Sequence, residues 1–414
     1  MIFIIYKYLS NILYFPILFY FFIRFLLSKE TKKSLLEKFF LKKNKRPNGK
    51  IIWINGVSIG EAKTGMIIAE QILKKDPHTK ILFSTSTITA HKQIFNQNKK
   101  IILIYTPVDI NFIIKKFINH WKPDQTIFLE SEIWPNIINE LKNKRIKFQI
   151  INGRMSKKSF YLWKKISYFS KSIFSNIYFC SVQDYKSEER YRQLGVKNVS
   201  NIGNLKFLSR KPFVDKKKLN LLNKSIENRI VITLFSSHEN EELVLIETFK
   251  ILKKEYPKIL FVVIPRHIYK INKIENNLIK NNIKYAIRST NKKRIESQDF
   301  YLVDSYGELG LFFKISDIAV IGGSFEKIGG HNPIEASYFN CVLIFGPHMF
   351  NFEDIKLEIL SKNAGFEAKN SKELSRKIMI LLKNKKIKIN MIKKFKELCI
   401  LESIKAKEIL NKIN

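Results

Sequence analysis

Cysteine is scarce in this chain: Cys180, Cys341 and Cys399 are the full complement. Their odd number, their wide spacing and the lack of a Cys-x-x-Cys pair exclude a disulfide framework and a cysteine-based zinc site. A catalytic part in a reducing compartment follows. Two nucleotide fingerprints are also missing, since neither Gly-x-x-x-x-Gly-Lys-Ser/Thr nor Gly-x-Gly-x-x-Gly occurs, and ATPase and dinucleotide readings lose their phosphate cradles. No internal repeat is found, and no low-complexity tract beyond lysine clusters. Acidic residues are few: 36 Asp and Glu stand against 74 Lys and Arg, leaving 74 − 36 = +38. So lopsided a charge calls for an anionic partner, which nucleic acid, lipid head groups or phosphorylated substrates would each satisfy. Neither a helix-turn-helix nor basic strands interleaved with aromatics are present, which argues against nucleic acid. A lysine-rich, Ile-, Asn- and Phe-crowded composition also accounts for part of the charge.

At 414 residues the chain exceeds one ordinary domain, and its 45% hydrophobic content is that of a globular protein. Two domains are expected, each burying its own core. The stretch Tyr8 to Ile23 carries no charge, is rich in aromatics and is flanked by Lys7 and Arg24. It reads as a membrane anchor, though it is short for a span of roughly 20 residues and Pro16 kinks it, so a tilted span and a monotopic insertion are both open. A cleaved signal peptide and a buried helix are the rivals, but a basic run from Lys29 to Arg46 follows where a small-residue cleavage site would stand. The positive-inside rule then puts the bulk of the chain on the cytoplasmic side.

From Ile51, short β-branched runs alternate with longer amphipathic segments. Strands are predicted at Ile51–Asn55, Lys80–Ser84, Ile101–Tyr105, Gln125–Glu130, Lys147–Asn152 and Tyr178–Val182. A second series is predicted at Arg229–Phe235, Ile259–Ile264, Asp299–Val303, Ile318–Ile321 and Cys341–Phe345. The rhythm is that of parallel sheets wrapped by helices, so the class is α/β with two Rossmann-like doubly wound domains. The expected division is an anchor at 1–28, a first domain at 29–207, a linker at 208–228, a second domain at 229–385 and a last helix at 386–414 that packs across the domain junction.

In such sheets ligands bind beyond the carboxyl ends of strands, which makes the residues after each strand the ones to inspect. After the first strand, Gly56-Val57-Ser58-Ile59-Gly60-Glu61 places an acid at a helix start, where the helix dipole favours the ionised carboxylate of a general base. Ser58 with Glu61 three residues on is equally a capping box. Glu130-Ser131-Glu132-Ile133-Trp134-Pro135 puts two acids at the end of a buried strand, a costly position unless they are paired or used. Gly322-Gly323-Ser324 and Gly329-Gly330-His331-Asn332-Pro333-Ile334-Glu335 supply glycines and a proline-marked helix start whose amides suit an anion, and Glu335 can accept both hydroxyls of a ribose. Arg266, in Pro265-Arg266-His267, can clamp a phosphate. His267 and His331 lack an acid–His spacing, so no metal is expected.

Taken in order, these blocks resemble the 3-deoxy-D-manno-octulosonic acid (Kdo) transferases of lipopolysaccharide synthesis. Further blocks carry the resemblance: Asn152-Gly153-Arg154-Met155-Ser156, Gly203-Asn204-Leu205-Lys206-Phe207, Ser236-Ser237-His238-Glu239-Asn240-Glu241-Glu242, Gly307-Glu308-Leu309 and Phe345-Gly346-Pro347-His348-Met349-Phe350-Asn351-Phe352. It implies a GT-B fold with the two domains facing a central cleft. It also implies Glu61 as proton acceptor, with Glu130 and Lys206 stabilising the transition state. Pro265, Arg266, Tyr306, Gly307, Glu308, Asn332, Pro333, Ile334 and Glu335 would line a CMP site. The implied reaction is metal-independent, inverting transfer from CMP-Kdo to a lipid A precursor, lipid IVA, at the anionic inner leaflet, with no cofactor and no nucleic acid. A GT-B enzyme using another nucleotide sugar, and a non-enzymatic protein that binds anionic surfaces, are the alternatives. Two departures stand out: the family usually has His where this chain has Asn55, and Ala where it has Gly153.

Overall fold

The protein is described here by a computed structural model, which covers residues 2–94, 100–227, 229–290 and 295–413. Two compact units emerge: Met1–Ser209 with Glu402–Asn414, and Arg210–Leu401.

The first unit opens with helices α1 (Ile2–Ile12), α2 (Tyr14–Leu26) and α3 (Lys32–Lys38). Strands and helices then alternate: β1 (Ile51–Asn55), α4 (Ile59–Lys75), β2 (Lys80–Thr85), α5 (Ile88–Ile94), β3 (Ile101–Tyr105), α6 (Asn111–Trp121), β4 (Gln125–Leu129), α7 (Pro135–Asn143) and β5 (Lys147–Gly153). The series ends with α8 (Lys157–Lys165), α9 (Ser167–Phe174), β6 (Phe179–Val182), α10 (Tyr185–Leu194) and β7 (Val199–Ser200). All neighbours pair in parallel, in the order β3-β2-β1-β4-β5-β6-β7. Because helices cover both faces, the strands are buried on both sides and read as continuous apolar runs. Ile51 and Trp53 point into one core with Phe117 and Phe128, while Ile52 and Ile54 point into the other with Ile68 and Phe83. The order reverses between β1 and β4, so the loops after these two strands splay apart and leave a crevice. Glu61 stands at the start of α4, just after the first of these loops, and Glu130 and Glu132 lie in the second.

The second unit repeats the plan with α11 (Lys216–Ile226), β8 (Ile230–Ser237), α12 (Glu241–Leu252), β9 (Ile259–Pro265), α13 (Ile271–Lys280), β10 (Tyr285–Ile287), β11 (Phe300–Leu302) and α14 (Leu309–Ile315). It continues through β12 (Ile318–Ile321), β13 (Val342–Phe345), α15 (Glu353–Ser361), β14 (Phe366–Glu367), α16 (Ser371–Lys383) and α17 (Lys385–Lys412). The parallel order is β10-β11-β9-β8-β12-β13-β14, with its switch between β8 and β12. Residues of α17 up to Leu401 belong to this unit, and from Glu402 the same helix belongs to the first, where Ala406 and Ile409 enter the core beside Ile54.

Three features depart from the pattern expected of the sequence. Part of the expected linker is α11, a helix started by Asp215, whose carboxylate accepts from the Lys217 and Lys218 amides. The strands β7, β10 and β14 were not anticipated; each has two or three residues, and each is an outer strand of its sheet. The apolar N-terminal stretch is two helices bent by 51°, and among the described residues no single helix is long and apolar enough to cross a membrane. The break falls at Leu13, where the Pro16 ring crowds the carbonyl one turn back and ends the first helix. Phe3, Tyr6, Ile17 and Phe21 pack onto the first unit's core, whereas Ile12, Phe15 and Phe19 are 71%, 75% and 65% exposed.

Candidate active site

In the first unit Ser58 caps α4, and Glu61 lies three residues on, in the first helical turn. Its Oε2 accepts from the Val57 amide at 2.8 Å and its Oε1 from the Ser58 hydroxyl at 2.9 Å. Ser58 Oγ caps the helix by accepting from the Glu61 amide at 3.3 Å, but the reciprocal half of a capping box is not made, since the carboxylate takes the Val57 amide in place of the Ser58 amide and is aimed by that bond and the Ser58 hydroxyl. Its ionisation differs from expectation. Burial comes first and the neighbouring Glu130 second, with Glu132 adding to both, and together they raise the Glu61 carboxyl to about 7 against the pull of the Val57 amide. The helix dipole was expected to hold it ionised, but desolvation beside two more acids outweighs it.

Glu130 follows β4 with φ +56°, a left-handed backbone that a non-glycine residue adopts only when its surroundings impose it. Its carboxylate pairs with Lys206 Nζ at 3.0 Å, both side chains being largely buried. Lys206 sits in a 3₁₀ turn, Leu205–Leu208, capped by Asn204. That turn is tied to β5 by the Leu205 amide, which donates to Asn152 Oδ1 at 3.0 Å. Glu132 accepts from Trp134 Nε1 at 2.8 Å, and burial raises its carboxyl too. Three carboxylates and one lysine thus gather at the switch point.

Both departures from the family pattern have local explanations. Asn55 is fully buried, and its Oδ1 accepts from Ser84 Oγ at 2.7 Å and Thr106 Oγ1 at 2.6 Å. Accepting both bonds, the side chain braces β1 against β2 and the residue after β3. At Gly153 an added Cβ would meet Cys180 Sγ and the Ser181 carbonyl at 3.2 Å, so Ala would need the neighbours to give way slightly.

In the second unit the residues after β8, β9 and β12 converge. Ser236, at φ +56°, turns the chain into His238, whose Nε2 lies 2.9 Å from His331 Nε2 with the rings stacked. A bond between two imidazoles requires one neutral acceptor. Burial first, then Arg266 and the other histidines, hold His331 down at about 3, and His238 is lowered as well. An added Cβ on Gly323 would lie 3.3 Å from the His331 ring, so glycine makes room for the pair. Arg266 and Tyr306 are exposed and Glu335 is half-buried, while Pro265 and Ile334 are buried.

The glycine loop is not an open cradle. Glu241, in the first turn of α12, is buried and accepts from the amides of His238, Gly323, Ser324 and Phe325 at 2.7–3.0 Å. The helix expected at Pro333 is a five-residue 3₁₀ turn, Ile334–Tyr338, and Asn332 Oδ1 already takes the Ile334 amide. Glu308 is similarly engaged: Arg288 grips both its oxygens at 3.1 Å, Lys218 binds at 2.8 Å, and Ser305 donates to it. Burial works to raise this carboxyl, but those bonds win and hold it at about 2. The roles of Glu241 and the His238–His331 pair escaped sequence reading; the one available signal was the density of acids in Glu239-Asn240-Glu241-Glu242 after a strand. Among the described residues no group of three His, Cys, Asp or Glu side chains is placed to hold a metal ion.

Two doubly wound units with charged side chains at each switch point define a GT-B-like glycosyltransferase fold. A glycosyltransferase from Rickettsia africae matches with a TM-score of 0.60 at 15% identity, over 89% of this chain and 98% of that one. An Anabaena protein solved in complex with UDP and glucose matches at 0.58 and 9%, over 88% and 99%. The family model of 3-deoxy-D-manno-octulosonic-acid transferase (kdotransferase) matches residues 33–209. The 3-deoxy-D-manno-octulosonic acid transferase of Rickettsia bellii is 36% identical over 382 residues, 91% of this chain and 90% of that one, and that of Haemophilus influenzae is 33% identical over 81% and 79%. This chain belongs to the 3-deoxy-D-manno-octulosonic acid transferase family and is a glycosyltransferase.

Proposed function

We propose that the chain transfers Kdo from CMP-Kdo to a lipid A precursor, lipid IVA, in lipopolysaccharide synthesis, inverting the anomeric centre without a metal. The observation that carries this reading is Glu61, a buried carboxyl aimed by two hydrogen bonds and titrating at about 7. A base of that strength is half ionised at neutral pH and still basic enough to take a hydroxyl proton. As the acceptor oxygen bonds to the anomeric carbon, the bond from that carbon to the CMP phosphate breaks. The hydroxyl proton passes to Glu61 and CMP leaves with the electron pair. Displacement in one step from the face opposite the leaving group inverts the centre. The Glu130–Lys206 pair, held at 3.0 Å, offers fixed charge to the oxocarbenium-like transition state. Arg266 meets the charge growing on the departing phosphate. Pro265, Tyr306, Gly307, Glu308, Asn332, Pro333, Ile334 and Glu335 line the nucleotide, Glu308 through its turn, since its carboxylate is already bound. The exposed apolar face of α1 and α2, on a chain of net charge +38, supports an address on the cytoplasmic side of an anionic membrane.

The test is incubation with CMP-Kdo and lipid IVA. CMP release with an inverted product anomer, read by NMR, is expected; no CMP release overturns the donor or acceptor assignment, and a retained anomer overturns the one-step displacement.

A further inference from the structure

We propose that the cavity beneath α1 and α2 is an acyl-chain pocket for the lipid acceptor, an inference that rests on the reading of the acceptor as a lipid A precursor. The cavity, about 420 Å³, lies between the inner sides of these helices and the loops that follow β2, β3 and β4. That size falls within the range of roughly 300–1,000 Å³ typical of ligand sites. Its body is apolar, formed by Leu13, Ile17, Phe21 and Val108. Water gains little in such a space, and a hydrocarbon chain fills it.

The position of the cavity selects the occupant. Leu9, Leu13 and Tyr20 line it and are themselves 49%, 41% and 55% exposed, so it opens onto the apolar face of the two helices. Its inner wall includes Trp134, whose Nε1 donates to Glu132, one of the acids that raise Glu61. A chain entering from the apolar face therefore ends one side chain from the carboxylate cluster, which is where an acceptor is needed and a bulk lipid is not. At the polar edge, Arg24 and Lys38 lie 3.4 and 2.7 Å from the single carboxylate of Glu30. Two cations against one anion at this edge leave positive charge, and the Arg24 side chain is 35% exposed, while Asp109, the other acid lining the cavity, is taken up by the Tyr6 hydroxyl and the Asn136 and Ile137 amides. An acylated glycolipid carrying phosphate matches this combination of apolar body and cationic edge.

Leu13→Trp tests the pocket, because the position is partly exposed and a larger ring plugs the mouth without entering the core. KM is measured for lipid IVA and for the same bisphosphorylated disaccharide with its acyl chains removed, alongside the thermal midpoint and partition into vesicles of anionic phospholipid. Losing contact with two buried methylenes corresponds to about a tenfold effect. The expected result is a rise of about that size in KM for lipid IVA relative to the deacylated acceptor, with partition and midpoint held. Leu9→Trp, on the neighbouring helix, should act in the same sense. An unchanged KM ratio overturns the pocket. So does a KM shift that follows vesicle partition, since the space would then hold a membrane lipid. If neither acceptor takes Kdo, the functional reading itself has failed, and the pocket assignment falls with it.

Discussion

Replacing Glu61 by Gln separates its chemistry from its cost to the fold. A general base contributes about 10²–10⁴-fold, so Glu61→Gln should lower kcat by that order in a CMP-release assay, and near-normal turnover would remove Glu61 from the mechanism. Stability should move the other way. The folded carboxyl titrates at about 7, above its ordinary 4.5, so its protonated form favours folding below 4.5 and that contribution is lost as pH rises through 7. The shift corresponds to a cost on the order of 3 kcal/mol at pH 8. Urea denaturation should therefore find Glu61→Gln more stable than the parent by up to about 3 kcal/mol at pH 8, with the gap closing towards pH 5. Glu130 is the second cause of the shift. Glu130→Gln should slow turnover and move the acid limb of the pH profile to lower pH; an unmoved limb would mean the two acids are not coupled. The sequence showed Glu61 at a helix start but not its ionisation, because Glu130 and Glu132 come from a strand distant along the chain and adjacent only in the sheet.

At the level of elements, two of the candidate-site loops are held by a side chain from a neighbouring element: Asn152 on β5 takes the Leu205 amide, and Glu241 on α12 takes the glycine-loop amides. Glu241 joins the start of α12 to the loop after β12 through four backbone amides. Glu241→Ala strands those donors, and buried donors without partners cost about 1–3 kcal/mol each. A drop in unfolding free energy of at least about 3 kcal/mol is expected by denaturant titration. Faster amide exchange at Gly323 and Ser324 should accompany it, and an unaltered exchange pattern would count against this anchoring role. Strands buried on both faces were legible as apolar runs, and helix starts were legible through Ser58 and Pro135. The outer strands β7, β10 and β14 were not, because two or three residues cannot establish a periodicity. The occupied glycine loop was not legible either, since an amide's partner can come from any element that folds against it.

For the molecule as a whole, the proposed membrane address would draw on charge and apolar surface together. Phe15 and Phe19 are largely exposed. Phe15→Ser with Phe19→Ser should weaken partition into anionic vesicles while leaving the thermal midpoint near that of the parent. Raising salt should weaken partition further, because each basic residue near the surface contributes about 1 kcal/mol that ions screen. Partition indifferent to both changes would argue against membrane attachment through this face. Local pattern alone determined the α/β class, the two-unit plan, most strands, the positive charge and the apolar N-terminal stretch, because hydrophobic period, caps and composition are properties of neighbours along the chain. Tertiary structure decided the rest: a pKa near 7 at Glu61, the ion pair of Glu130 with Lys206, the stacked histidines, and a cavity under two bent helices. These depend on burial and on charges brought together from separate strands, and desolvation has no value until the chain has folded around the group it isolates.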